Sequence, residues 1–281
     1  MEKDQQTPGD KPADPPVQSV LHEVRTAENS AAHLLPKLQS MKESNPNLKL
    51  LDVGSGSGTI SVSFAKLIPD GHVIGIDVNP KILPRAQAVA EMAGVKNIEF
   101  QQGSVYELPF ADETFDVTFC HQVLVHIGNP WDALREMLRV TKRGGVVAAR
   151  EGDYETECVW PEVPELRRFH KLVADIMSAG GGSPTAGRQL VSWALKAGAE
   201  RSQITLSYSS WSYNTPSERN ICAQGLCGPL RGGSLRERAL KFGLGAEDDF
   251  EVMAKAWEEW AITEDASLAM VHGEILVQKL P

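Results

Sequence analysis

The stretch LLDVGSGSGT, residues 50–59, decides the fold. Its apolar half reads as a short strand, and Gly54-Ser55-Gly56-Ser57-Gly58 turns the chain into a helix expected over 60–67. Glycines at such a turn let the backbone reverse sharply and come close to a ligand. The following helix offers free N–H groups and the positive end of its dipole. The loop is therefore a natural seat for a nucleotide-like ligand with an anionic group.

Its spacing narrows the ligand. A dinucleotide loop reads G-x-G-x-x-G, whereas this one reads G-x-G-x-G, with Thr59 where the third glycine would fall. Asp52, two residues before the first glycine, would repel a pyrophosphate but help to hold a cationic or amino-bearing ligand. The pattern favours S-adenosylmethionine (SAM) over NAD.

Working outward, HVIGIDV (72–78) is a second apolar strand, and a helix follows over 80–93 with Gly94 as its stop. Further strands are expected over 97–102, 115–121 and 146–149. Asn129 caps a helix with Pro130 at its first position, and Gly144-Gly145 is expected to end it. Strands alternating with helices imply a parallel sheet covered on both faces. Upstream, TAENSAAHLLPKL (26–38) reads as a helix capped by Thr26, with Pro36 kinking or stopping it near its end. Residues 1–16 are polar and rich in Pro, Asp and Gln, and read as a disordered tail. Downstream, helices are expected over 165–178 and 188–196, and strands over 202–213 and 270–278. Between those strands the sequence is helical in character, including EVMAKAWEEWA (251–261).

Composition bounds the rest. With 281 residues, 42% hydrophobic and 23% charged, the chain can bury a sizeable core, which excludes a disordered or fibrous protein. The 28 basic and 37 acidic residues leave a formal charge of −9, which disfavours generic nucleic-acid binding. Cys120, Cys158, Cys222 and Cys227 make neither a disulfide scaffold nor a zinc pair. The N-terminal residues lack the apolar core of a secretory signal, and no apolar run approaches a membrane span. A cytoplasmic protein is expected.

LLDVGSGSGT, GIDVNP (75–80), GSVYELPF (103–110), FDVTFCHQVL (115–124) and LRVTKRGGVV (138–147) fall in the order seen in class I SAM-dependent methyltransferases. The chain resembles the UbiE-like branch of that superfamily. RTAENSAAHLLP (25–36) also resembles a segment found before the first motif in bacterial and fungal members. The resemblance implies an α/β, Rossmann-like, seven-stranded sheet in the order 3-2-1-4-5-7-6. Five parallel strands would be joined by a C-terminal antiparallel pair, with helical lid insertions. It divides the chain into the tail, an N-terminal helical lid over 17–45, a SAM-binding core over 46–151, and the rest of the sheet over 152–281. Lid insertions would occupy 152–186 and 214–265.

The resemblance also assigns cofactor roles. Gly54, Ser55, Gly56 and Gly58 would face the methionine moiety, with Asp52 ordering the loop or the amino group. Asp77 would accept hydrogen bonds from both ribose hydroxyls, a task suited to a two-oxygen acceptor. Val78 would pack on adenine, and Gly103, Ser104 and Val105 would border its edge. Ser104 stands where the family usually has Asp, and it accepts a weaker hydrogen bond. His121 and Gln122 would adjoin the cofactor after the fourth strand.

Ligands in such sheets lie beyond the carboxyl ends of the strands. His121 ends the fourth strand and is a candidate general base, with a mere backbone contact to the cofactor as the bland alternative. His126 and Asp153 are further catalytic candidates, and structural or solvated roles stand beside them. Trp160, Trp211, Trp257 and Trp260 would fill the core or line a substrate pocket. His121 and His126 lack nearby carboxylate or thiolate ligands at metal spacing, so no metal site is expected. His121-Gln122-Val123-Leu124 replaces the NPPY-type motif of amino-group methyltransferases. The expected activity is methyl transfer by in-line displacement to a small molecule, quinone-like or a secondary metabolite. An RNA or protein methyltransferase, a SAM-binding regulatory module without catalysis, and an NAD-dependent dehydrogenase are the alternatives.

Overall fold

Strand formation follows the apolar runs. In the computed structural model, which describes residues 20–280, β1 (Lys49–Val53), β2 (His72–Asp77), β3 (Ile98–Gln102), β4 (Phe115–His121) and β5 (Thr141–Gly152) lie parallel. The tail expected over 1–16 lies outside the described residues. A short β6 (Cys158–Trp160), β7 (Ile204–Tyr213) and β8 (Ser267–Gln278) complete the sheet. β8 runs antiparallel to β5, with Gly152 opposite His272, and β7 runs antiparallel along its other edge. The main order is thus β3-β2-β1-β4-β5-β8-β7, as the resemblance implied. β6 is an addition with no signal in the sequence: it pairs with the first residues of β8, Cys158 opposite Ala269.

Alternate residues of the strands point to opposite faces, and each face has its own core. Leu50, Val73, Val117 and Phe119 pack with Phe64 and Ile68 on one face. Leu51, Val53, Val147 and Ala149 pack with Met137, Leu190 and Trp193 on the other. The helices up to the fourth strand are α1 (Val20–Glu23), α2 (Ala27–Ser30), α3 (Leu35–Ser44), α4 (Thr59–Leu67) and α5 (Leu83–Met92). After it come α6 (Pro130–Val140), α7 (Pro164–Ala179), α8 (Ala186–Lys196), α9 (Pro216–Gly232), α10 (Ser234–Lys241) and α11 (Glu247–Ile262).

Helices α7, α9, α10 and α11 enclose a separate core around Trp257 and Trp260, with Phe169, Leu230, Ala239 and Phe250. Buried Arg219 ties this cap together by donating to the carbonyls of Asn214 (2.6 Å), Ala261 (3.2 Å) and Ala266 (3.2 Å). α1 docks on α9, with Leu21 against Gly225.

Three of the differences from the sequence reading have a plain physical reason. The expected helix over 26–38 is two helices, and Pro36 stands in the first turn of α3, where its missing N–H costs nothing, rather than toward a C-terminal stop. The helix expected over 80–93 begins as a 3-10 turn, Pro80–Ile82, before α5. Gly144 and Gly145 lie inside β5, not at a helix end. α6 stops at Val140 because Thr141 is already extended, its hydroxyl bonded to the Met137 carbonyl (2.7 Å). Gly144 has φ +76°, and the β4–β5 register shifts between Phe115 and Val117, so the glycines accompany a bulge.

Candidate active site

The carboxyl ends of β1, β2 and β4, the cap and the segment around α1 surround a cavity of about 770 Å³. Gly54, Gly56 and Gly58 all have positive φ (+74°, +53° and +79°), so this path needs glycine. A Cβ on Gly54 would lie 2.4 Å from Val123, and one on Gly58 would lie 2.7 Å from Phe100. At Gly56 no protein atom lies within 4 Å of that position, so the chain leaves open space there.

Two carboxylates shape the loop. Asp77 accepts the Gly56 N–H (3.0 Å) and the Asn79 N–H (2.9 Å), which fixes both its loop and its own orientation. Asp52 is buried, and burial pushes its carboxyl up to about 7; Asp77 nearby adds to this and the Ser61 hydroxyl opposes it. No cation pairs with Asp52 among the described residues. Beyond β3, Gly103 donates to the Asp77 carbonyl (3.1 Å), and Ser104 Oγ accepts the Tyr106 N–H (3.3 Å). Val78 is 70% exposed and lies on the cavity wall. An unpaired buried acid, open space at a loop glycine, a carboxylate on a loop edge and an apolar wall fit a cationic amino acid joined to a ribose and a base. SAM is that ligand.

At the end of β4, His121 lines the cavity with neither ring nitrogen hydrogen-bonded. Burial, then the charges of Arg25 and Arg150, hold its imidazole well below the usual range, so it is neutral at pH 7. Its ring meets Trp211 edge-on at 5.5 Å. Gln122 takes φ +57°, its N–H bonded to the Arg150 carbonyl and its side-chain oxygen accepting the Tyr154 hydroxyl (3.4 Å). His126 also faces the cavity; burial, then Arg238 and Arg25, push it down to about 4. The 3-10 turn that carries it is pinned by Glu151. That buried carboxylate accepts the N–H groups of Val123 (3.0 Å), Leu124 (3.0 Å) and Val125 (3.1 Å).

Asp153 is not brought to this site. It does not line the cavity, and both of its oxygens are held by Arg188, one at 2.7 Å, so it is in no position to serve as a base. Of the four tryptophans, only Trp211 lines the cavity. Trp257 and Trp260 fill the cap core, and Trp160 is a surface residue bonded to Asp265 (2.9 Å). His170 pairs with Glu157 (3.1 Å), and His272 is buried against Trp211 (4.4 Å). No cluster of three or more metal-ligating residues occurs among the described residues.

The sequence reading missed Arg25, Phe169, Tyr213 and Arg238, which line the cavity together with Tyr154. Arg25 opens the RTAENSAAHLLP segment, a signal that could have singled it out. The others lie on irregular or amphipathic segments whose cavity face is indistinguishable from a core face.

A methyltransferase-domain family model matches residues 44–186. Over 271 residues, 92% of each chain, the protein is 32% identical to an uncharacterized methyltransferase of Schizosaccharomyces pombe. It is 36% identical over 103 residues to the ubiquinone/menaquinone biosynthesis C-methyltransferase UbiE of Bdellovibrio bacteriovorus, 37% of this chain and 43% of that one. The YcgJ structure from Bacillus subtilis superposes with TM-score 0.54 at 20% identity, covering 89% of this chain and 99% of that one, and so shares the fold. The chain belongs to the methyltransferase family. It is a class I SAM-dependent methyltransferase with UbiE-like relatives. No helix among the described residues is long and apolar enough to cross a membrane.

Proposed function

We propose that the enzyme transfers a methyl group to a small-molecule acceptor held between the glycine loop and the helical cap. The observation that carries this is the continuity of one cavity: the same 770 Å³ space touches the loop at Gly56, the end of β4 at His121, and an aromatic wall of Tyr154, Phe169, Trp211 and Tyr213. That volume suits a cofactor beside a compact acceptor. The UbiE relative, by its name, acts in quinone biosynthesis, which supports a ring-shaped acceptor here.

SAM supplies an electrophilic methyl group, whose bond to sulfur breaks as the acceptor's nucleophile forms its new bond. The chain's own residues do the positioning. The loop backbone at Gly54, Ser55, Gly56 and Gly58 receives the amino-acid end, and Asp52 supplies negative charge beneath it. Asp77 takes the ribose. Val78, Gly103, Ser104 and Val105 receive the base. Gln122 and the Glu151-pinned turn set the end of β4, so that His121 faces the acceptor. With both ring nitrogens unpartnered and the ring neutral, His121 takes the acceptor's proton. Such alignment supplies much of the acceleration in a displacement of this kind.

The test is transfer of tritium from methyl-labelled SAM to hydroquinones, phenols and aromatic acids, with counting of the organic extract. Label in a small product, lost with Asp77→Ala, supports the reading. Label only in added RNA or protein would replace it with a macromolecular acceptor.

A further inference from the structure

We infer that the acceptor carries an ionised oxygen, as a carboxylate or phenolate on an aromatic ring, and that Arg25 binds it. The inference rests on the proposal that the acceptor occupies this cavity.

Arg25 lines the cavity just before α2, and its buried Nε has no hydrogen-bond partner among the described residues. No carboxylate pairs with its guanidinium among them either. The group stacks over Trp211, 4.6 Å from the ring centroid. Arg150 approaches the same ring at 5.2 Å, but Glu274 answers its charge at 3.1 Å. Arg25 is thus the uncompensated cation of the pair. A second cavity cation, Arg238, meets only the Ile176 carbonyl (3.4 Å) and no carboxylate among the described residues.

Two acids stand near this end. Glu157 lines the cavity and lies 3.1 Å from His170 Nε2, and Glu151, which attracts Arg25 without an ion-pair contact, accepts three backbone N–H groups. Asp52 and Asp77 stand at the glycine loop. Arg25 and Arg238 therefore face the cap side of the cavity with no carboxylate in direct contact among the described residues. Burial pulls Arg25 down to about 10, which leaves it cationic at pH 7. A buried charge without a partner is costly, and a ligand anion removes that cost. A planar guanidinium grips a carboxylate in two places. Tyr154, Tyr213 and Trp211 supply flat walls for the attached ring.

Burial is the main reason His22, His121 and His126 are depressed, and the charge of Arg25 adds to it at each. An anion bound at Arg25 offsets that added part at His121.

The experiment uses the full chain saturated with S-adenosylhomocysteine. Hydroxybenzoates, hydroxynaphthoates and naphtholates are titrated against matched methyl esters and methyl ethers, with Trp fluorescence and ligand-observed NMR as readouts. The acids or phenolates should bind at least roughly tenfold more tightly than their neutral partners. Arg25→Met should erase that preference, Arg25→Lys should keep part of it, and both should bind S-adenosylhomocysteine within about twofold of wild type. Circular dichroism checks the fold, and Arg25→Gln serves if the Met variant does not fold. Equal binding of neutral and ionised partners overturns the inference, as does an anion preference that survives Arg25→Met. So does failure of the whole panel to bind. A tenfold loss of S-adenosylhomocysteine affinity in Arg25→Met would instead assign Arg25 to the cofactor's carboxylate. Arg25-dependent anion binding without methyl transfer would sink the transfer proposal while leaving the anion subsite standing.

Discussion

The two ends of the cavity are built by different means. The end proposed for the cofactor is mostly backbone: three left-handed glycines, two strand termini and a carboxylate that ties the loop to β2. The end proposed for the acceptor is mostly side chains, brought together from α1, the turn after β4, β7 and the cap. Backbone geometry constrains sequence tightly and locally. A side-chain wall asks only for the right shape and charge after folding. One end therefore admits few alternatives at its glycines, and the other tolerates many side chains.

The largest expected effects break the cofactor end. Gly54→Val drives a methyl-bearing carbon into Val123 at a position with φ +74°. It should cost about 3 kcal/mol of stability or more and abolish S-adenosylhomocysteine binding. Gly56→Ala separates the two effects, because its new carbon meets no protein atom. Stability should fall by only about 1 kcal/mol for the positive φ, while calorimetry shows a marked loss of affinity.

His121→Ala tests the junction between the two ends. The kcat should fall by roughly 10²–10⁴-fold, with little change in cofactor affinity. In the free wild-type enzyme the acid limb of the pH–rate profile should lie well below pH 6.5, because burial and Arg25 oppose a charged imidazole. A near-normal rate would reduce His121 to a wall. Asp77→Ala should weaken S-adenosylhomocysteine binding by roughly 10- to 150-fold, the worth of a charge-assisted hydrogen bond. Part of that loss would come from the freed Gly56 N–H.

The mildest effect is on stability against pH. Burial pushes His22 and His272 down to about 3, and His33 and His126 down to about 4. Between those values and 6.5 the folded state holds fewer protons than the unfolded one, so stability is lost as pH falls. Asp52 and Glu151, pushed up to about 7 by burial, act in the opposite sense over the range from about 4 to 7. With His121, which burial also lowers, five imidazoles outweigh two carboxyls. The Tm of the ligand-free protein should therefore drop on acidification from pH 6.5 to 4.5, as followed by calorimetry.

The same contrast governs what could be read in the sequence. The succession of the first five strands along the chain and the glycine loop were legible because apolar runs and turn glycines are local signals, whereas the order of the strands in the sheet came only from the resemblance. Pro36 was misplaced because a proline near a helix end and one at a helix start look alike without the fold. Gly144-Gly145 was misread because a bulge and a helix stop use the same residue. Asp153 looked available at the end of a strand, and only the fold shows Arg188, 35 residues on, holding it. Arg25 and Trp211 are 186 residues apart. Their contact is tertiary and leaves no periodic trace. The role of Glu151 leaves no local trace either, because its partners are three backbone N–H groups across the β4 turn.

The most direct test is a crystal structure with S-adenosylhomocysteine. The account predicts the ribose against Asp77, the amino-acid end over Gly56, and the sulfur facing His121 with the space toward Trp211 and Arg25 left open for the acceptor. A ligand bound outside this loop, or one whose sulfur faces away from His121 and the aromatic wall, would contradict it.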